Sequence, residues 1–150
     1  GGNSRGESVR NGLKALPDAA TVVVIHDAAR PGAPANLFRS VIHAVGAGAD
    51  AAVPGLAVSD TLKQVQDGPK GKEVKSTLDR DTIMAIQTPQ AFNRQMLEAA
   101  HADTREATDD AALIEAISGT VEVVPGDVRA IKITEPSDLV IAAELMGLNE

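Results

Sequence analysis

Residues 21–24, Thr-Val-Val-Val, run directly into Ile25-His26-Asp27-Ala28-Ala29-Arg30-Pro31, and this junction constrains the fold more than any other feature of the chain. An unbroken β-branched run reads as a strand buried on both faces, as in open α/β sheets. The switch to Asp, Arg and Pro marks the carboxyl end of that strand, where such sheets bind ligands. Taken singly, Asp at a strand end is an ordinary turn residue and Arg beside Pro an ordinary solvated loop. Together they bring a carboxylate and a guanidinium to one strand end and outline a site.

The remaining chain alternates helical and extended patterns. Ser4 and Glu7 fit a capping box, and Val9, Leu13 and Leu16 fall at i, i+4 and i+7, which predicts a helix over about 5–16 leading into a strand at 21–26. A second helix over 35–46 carries Leu37, Val41, Ile42 and Val45 on one face and ends at Gly46 or Gly48. Residues 51–54 read as a short buried strand. Residues 61–66 and 73–78 alternate imperfectly around Asp67-Gly68-Pro69-Lys70-Gly71, which predicts a polar hairpin. So few apolar residues make it marginal alone, and it is expected to rest on a second subunit. Residues 84–88 read as a strand, and 90–102 as a helix with Phe92, Met96, Leu97 and Ala100 turned inward. A further helix over 108–118 holds Asp109 and Asp110 in its first turn, the sign that suits the macrodipole. Short strands follow at 120–124 and 130–133, and Thr134 is expected to cap a last helix over 136–146. The alternation predicts an α/β sandwich with a mostly parallel sheet, one domain over 1–150.

At 150 residues and 43% hydrophobic content, such a domain buries roughly 70% of the surface its unfolded chain exposes. The 21 acidic and 14 basic side chains give a net charge of -7, which opposes binding to a polyanion. With no Trp, no Tyr and two Phe there is no platform for stacking bases, so nucleic acid is not an expected partner. The absence of Cys excludes disulfides and thiolate metal sites, and the three His, at 26, 43 and 101, lack the spacing of a zinc site. No apolar stretch approaches the ~18 residues of a spanning helix and no signal peptide is evident, so a cytoplasmic protein without membrane contact is expected. The chain opens Gly1-Gly2-Asn3 without Met, so these residues are not expected to be the start of the natural gene product.

Polar clusters fall where elements are expected to end. Gly1-Gly2-Asn3-Ser4-Arg5, followed by Ser8, is a glycine-rich approach to a helix N-terminus, where free amides and short side chains can receive an anion or a base edge. Asp60-Thr61-Leu62-Lys63 and Asp79-Arg80 read locally as surface ion pairs, each worth about 0 to 1 kcal/mol. Gln87-Thr88-Pro89-Gln90 reads as a strand-to-helix junction needing no ligand, and Thr108-Asp109-Asp110 as a helix cap. Lys132, between Ile131 and Ile133, must point out of the core or toward a charged partner, which marks an anion site.

Taken in order, GGNSRGESV, HDAARP, DTLK, LDRD, QTPQAF, TDDAALIE and IKITEPSDL resemble the later two-thirds of the 2-C-methyl-D-erythritol 4-phosphate cytidylyltransferases, over residues 1 to about 145. The resemblance implies a Rossmann-like nucleotidyltransferase sandwich, with a β-arm at about 60–78 that reaches across a homodimer. It implies transfer of CMP from CTP to the phosphate of methylerythritol phosphate, with Mg²⁺ and release of pyrophosphate, in non-mevalonate isoprenoid synthesis. Gly2, Asn3 and Ser8 are implied to line the cytidine and ribose pocket, although the family often carries Asp where Asn3 stands. Asp27 is implied where nucleotide, Mg²⁺ and acceptor meet, with Arg30 and Thr61 nearby. Thr108 and Lys132 are implied to hold the acceptor, and Arg80 to reach its phosphate from the neighbouring subunit. The family's glycine-rich loop, whose Arg and Lys embrace the triphosphate, has no counterpart among these residues, so the chain alone is expected to be inactive. Two other readings stay open: a ribitol-phosphate cytidylyltransferase, and a non-catalytic ligand-binding or dimerisation module.

Overall fold

In the computed structural model, which describes residues 1–102 and 109–148, the junction at Asp27 ends the first strand of a five-stranded sheet. The elements in chain order are α1 (Arg5–Lys14), β1 (Val22–Ile25), α2 (Ala35–Gly46), β2 (Ala51–Ala57), β3 (Lys63–Gly68), β4 (Gly71–Thr77), β5 (Met84–Ile86), β6 (Gln90–Asn93), α3 (Arg94–Ala100), α4 (Asp110–Ala116), β7 (Val121–Pro125) and α5 (Pro136–Leu145). Short 3-10 turns stand at Arg80–Thr82 and Val128–Ala130.

The sheet runs β1-β6-β2-β5, with β7 on the other edge of β2. Strands β1, β2 and β7 share one direction, the parallel part of the sheet that the alternation predicts and that the resemblance to a Rossmann-like sandwich implies. Strands β5 and β6 run against them, so the sheet is mixed and β2–β7 is its one directly parallel pair among the described residues.

Two apolar clusters hold the layers. On one face Val41, Ala44 and Val45 of α2 pack on Ala52, Ala91 and Val124. On the other, Leu13 of α1, Leu97 of α3 and Leu113 and Ile114 of α4 close over Val23, Ala51, Val53 and Phe92. Neighbours 91 and 92 point to opposite faces, as strand geometry requires. Strand β6 therefore contributes to both clusters.

Several local expectations are corrected. The helix expected over 90–102 is a strand followed by a helix. Residues 90–93 pair with β1 on one side and β2 on the other, and α3 begins only where the Asn93 side chain accepts from the Met96 N–H. Strand β2 continues through Pro54 to Ala57; Pro54 falls between the stretches paired to β6 and to β5, where its missing N–H breaks no ladder bond. The strand expected at 130–133 has no ladder partner, and 128–130 is a 3-10 turn. Thr134 does not cap α5. Glu135 is the N-cap, and Asp138 accepts from the N–H groups of both residues. At α1, Ser4 caps as expected, but Glu7 turns back to the Asn3 N–H instead of completing the box.

The hairpin β3–β4 forms a separate two-stranded sheet with no buried residue, and Val65 and Val74 lie exposed on it. Gly71, at φ +124°, makes its turn. No described helix is long and apolar enough to cross a membrane.

Phe92, with no exposed surface, is the largest side chain of the core. Phe92→Ala should cost about 3 to 5 kcal/mol, against less than about 0.5 kcal/mol for Val140→Ala on exposed α5. Urea unfolding of both variants, monitored by circular dichroism, checks the contrast; equal effects would remove Phe92 from the centre of the fold.

Candidate active site

Antiparallel pairing of β1 with β6 sets Ile25 opposite Gln90. The residues entering β6 therefore lie beside the residues leaving β1. The Asp27 backbone N–H donates to Thr88 Oγ1 at 2.9 Å, and the same oxygen lies 3.1 Å from His26 Nδ1. The far nitrogen of His26 is 3.2 Å from the Arg30 carbonyl. These contacts latch the 26–30 loop and leave the Asp27 side chain facing a cleft.

In that cleft Lys132 Nζ lies 3.2 Å from Asp27 Oδ2, and Arg30 Nε lies 3.5 Å from the same oxygen. Arg30 is turned by a second bond, Nη1 donating to the Ala130 carbonyl at 2.7 Å. Gly32 permits this closure, because a Cβ there would stand 2.4 Å from the Arg129 carbonyl oxygen. Burial pushes the Asp27 carboxyl up, but the hydrogen bond and charge of Lys132, with the charge of Arg30, outweigh it and hold the group below its ordinary value of 3.8. Asp27 is thus ionised at neutral pH.

The cleft measures about 270 Å³, and its charged lining is three cations, Arg5, Arg30 and Lys132, against two carboxylates, Asp27 and Asp109. Its lining thus holds more cations than carboxylates in a chain whose net charge is -7, and with Arg5 already paired to Asp110 the cations turned to a ligand are Arg30 and Lys132. That favours an anionic ligand whose charge is focused by low-dielectric walls. Arg5 and Asp27 also border a second, more open groove of about 360 Å³, floored by apolar residues of α1 and β1 and flanked by Ser8. Arg5 is held by Asp110, a carboxylate with no exposed surface whose other oxygen lies 2.8 Å from His101 Nε2.

Of the residues singled out in the sequence, the structure brings Asp27, Arg30 and Lys132 together and sets Ser8 in the adjoining groove. Gly2 and Asn3 stand exposed at the entrance to α1 and line neither cavity. A Cβ on Gly2 would lie 2.7 Å from Glu7 Cγ, so its role there is close approach. Thr61 and Arg80 lie outside the cleft of their own chain, at the base of the hairpin, where Arg80 Nη1 donates to the Ser59 carbonyl. Thr108 lies outside the described residues.

Sequence reasoning passed over Arg5, Gln87, Thr88, Gln90 and Asp109, all of which line the cleft. The signal was present in Gln87-Thr88-Pro89-Gln90: three polar residues, all buried, in the connection from β5 to the first residue of β6. A helix assignment for residue 90 onward concealed it. No described cluster of three His, Cys, Asp or Glu could enclose a metal. The ionised Asp27 carboxylate, to which Lys132 and Arg30 both come through Oδ2, is itself part of the cleft lining.

Because the Asp27 carboxyl titrates lower folded than unfolded, it adds stability that is present above pH 3.8 and is lost as pH falls through its lowered folded value. Lys132→Ala removes the leading cation and should move the Asp27 titration upward, read from carboxyl ¹³C shifts. An unchanged titration would mean that Lys132 does not set the charge of this site.

The family model for 2-C-methyl-D-erythritol 4-phosphate cytidylyltransferase matches residues 1–147. A cytidylyltransferase of that name from Streptomyces avermitilis is 45% identical over 151 residues, covering 98% of this chain and 60% of the relative. The bifunctional enzyme IspD/IspF of Solidesulfovibrio magneticus is 47% identical, with 96% of this chain and 36% of the relative covered. The crystal structure of the 2-C-methyl-D-erythritol 4-phosphate cytidylyltransferase from Thermus thermophilus superposes with a TM-score of 0.85 at 36% identity, covering 98% of this chain and 71% of that one. The chain spans about 60% of the length of the first of these relatives. With a match over nearly every residue in both sequence and fold, the chain belongs to the 2-C-methyl-D-erythritol 4-phosphate cytidylyltransferase family.

Proposed function

We propose that the protein containing these residues transfers CMP from CTP to 2-C-methyl-D-erythritol 4-phosphate, and that this chain supplies the acceptor side of the site. The observation that carries the reading is the convergence of Asp27, Arg30 and Lys132 on one polar cleft in a chain of this family.

In the reaction, an oxygen of the acceptor phosphate forms a bond to the α-phosphorus of CTP, and the bond from that phosphorus to the β-phosphate oxygen breaks, releasing pyrophosphate. A phosphate monoester is already anionic near neutral pH, so no strong general base is required. The barrier lies in aligning two anions, which positioned cations lower. Lys132 and Thr108 are both assigned to the acceptor. Asp27 holds Lys132 and Arg30 in place, so these cations are oriented before the ligand arrives. Ser8, with Gly2 and Asn3 at the entrance to α1, is assigned to the nucleotide end, where the groove adjoins the cleft. The ionised Asp27 carboxylate suits Mg²⁺, a hard ion that takes one or two carboxylates and completes its shell with substrate phosphates and water. When bound, Mg²⁺ would neutralise charge on the phosphates.

The exposed hairpin and Arg80 support a homodimer. A two-stranded arm with no buried residue has no core of its own, and Arg80 at its base lies away from the cleft of its own chain. Both are accounted for if the arm lies against a second copy and brings Arg80, with Thr61, toward that copy's acceptor.

The reading is tested by pyrophosphate release from CTP, with the chain alone and with a full-length version completed from a relative's remaining residues. The full-length enzyme should turn over, and methylerythritol phosphate should exceed ribitol 5-phosphate in kcat/KM by at least about tenfold, roughly 1.4 kcal/mol. Turnover with ribitol 5-phosphate alone would reassign the acceptor, and none with either would leave a binding module.

Arm exchange has its own test. Arg80→Ala and Lys132→Ala should each lower kcat/KM in the full-length enzyme by about 10- to 150-fold, as expected for a charge-assisted phosphate contact of roughly 1.5 to 3 kcal/mol. A heterodimer of the two variants then holds one site with both residues intact, and activity should return on subunit exchange. Heterodimers that form and stay inactive would place Arg80 in service of its own subunit.

A further inference from the structure

Gln87 stands between β5 and β6 and is 5% exposed. Its Nε2 donates to the Asp127 carbonyl at 2.9 Å and to the Ala130 carbonyl at 3.3 Å, while its Oε1 accepts from the Asp127 N–H at 3.0 Å. Both ends of the carboxamide are therefore used, a pattern that neither a carboxylate nor an apolar side chain reproduces. The fit is close: a Cβ at Gly126 would lie 2.6 Å from Gln87 Oε1.

The turn that Gln87 grips leads directly to Lys132. The Ala130 carbonyl receives Arg30 Nη1 as well as Gln87, and three residues later the Ile133 N–H donates to the Ala29 carbonyl at 2.8 Å. Between these two anchors 131–133 pairs with no strand. The Lys132 side chain is 48% exposed and has a flexible stem, so the place of its ammonium depends on where those anchors hold its Cα.

We propose that Gln87 is the positioning residue for Lys132, fixing through the 127–130 turn where that ammonium meets the acceptor phosphate; this rests on the role assigned to Lys132 above. Without Gln87, the Asp127 N–H and the carbonyls of Asp127 and Ala130 lose partners in a partly buried setting. The turn must then shift to find others, and Lys132 shifts with it. The nucleotide groove lies along α1 and β1, and Gln87 does not line it.

The test uses the full-length enzyme. Gln87→Met keeps the volume without hydrogen bonds, and Gln87→Glu sets a carboxylate oxygen against two carbonyls. Both should raise the acceptor KM by about tenfold or more and leave the CTP KM within about twofold. In a Lys132→Ala background, Gln87→Met should add less than about twofold, because the group it positions is gone. Equal rises in both KM values, or full additivity with Lys132→Ala, would overturn the proposal.

A readout independent of turnover is the Asp27 carboxyl titration in this chain, which Gln87→Met should move in the direction that Lys132→Ala moves it. If Lys132→Ala moves the titration and neither Gln87 variant does, the positioning role is wrong even if the enzyme turns over. A titration shifted by Gln87→Met, together with an unsubstituted full-length enzyme that does not turn over, would strike the functional reading and leave the positioning intact.

Discussion

The insertion of β6 between β1 and β2, antiparallel to both, is the constraint on which the rest of the molecule depends. Its two apolar residues point to opposite faces, Ala91 toward α2 and Phe92 toward the layer of α1, α3 and α4, so one four-residue strand links both halves of the core. The strand direction has a chemical consequence. A parallel neighbour would send its own carboxyl end toward Asp27, whereas the reversed strand sends its entrance there. Gln87, Thr88 and Gln90 thereby become walls of the cleft.

Sequence legibility followed from how local each determinant is. Helices α1 and α2, strand β1 and the hairpin were readable because periodicity, caps and turn glycines lie within a few residues of what they specify. The start of β6 was not. Gln-Ala-Phe-Asn followed by Arg-Gln-Met-Leu satisfies helical spacing, and only two distant partner strands make its first four residues extended. The same holds for residues 130–133, whose apolar character reads as strand although no neighbour offers a ladder. In the site, Asp27, Arg30 and Lys132 were legible because charge at an element end, or inside an apolar run, is conspicuous. Buried uncharged polar residues carry no such mark. What Gln87 does depends on backbone groups 40 and 43 residues away.

Charge placement resolves an apparent contradiction between composition and ligand. A chain of net charge -7 repels phosphates at long range, but beyond the ~8 Å Debye length of physiological salt that repulsion is largely screened. At contact distance the cleft presents more cations than carboxylates. Asp27 lowers that positive balance, yet it fixes Lys132 and Arg30 in orientation. In a partly desolvated site, orientation prepared before the ligand arrives counts for more than an additional loosely held charge.

Arg5 carries this logic to the other end of the cleft. Helix α1 buries only Leu13, so apolar packing alone ties its first turn weakly. Asp110 supplies the tie, binding Arg5 through one oxygen and meeting His101 through the other, with no exposed surface. A buried ion pair is a poor source of net stability, since desolvation offsets much of the attraction, but removing one partner strands a charge in the interior. Alternative placements of α1 that separate Arg5 from Asp110 are therefore costly. Because Arg5 borders both the polar cleft and the apolar groove, the carboxylate that orients α1 also fixes the two cavities relative to each other, as the proposed joining of two ligands end to end would require.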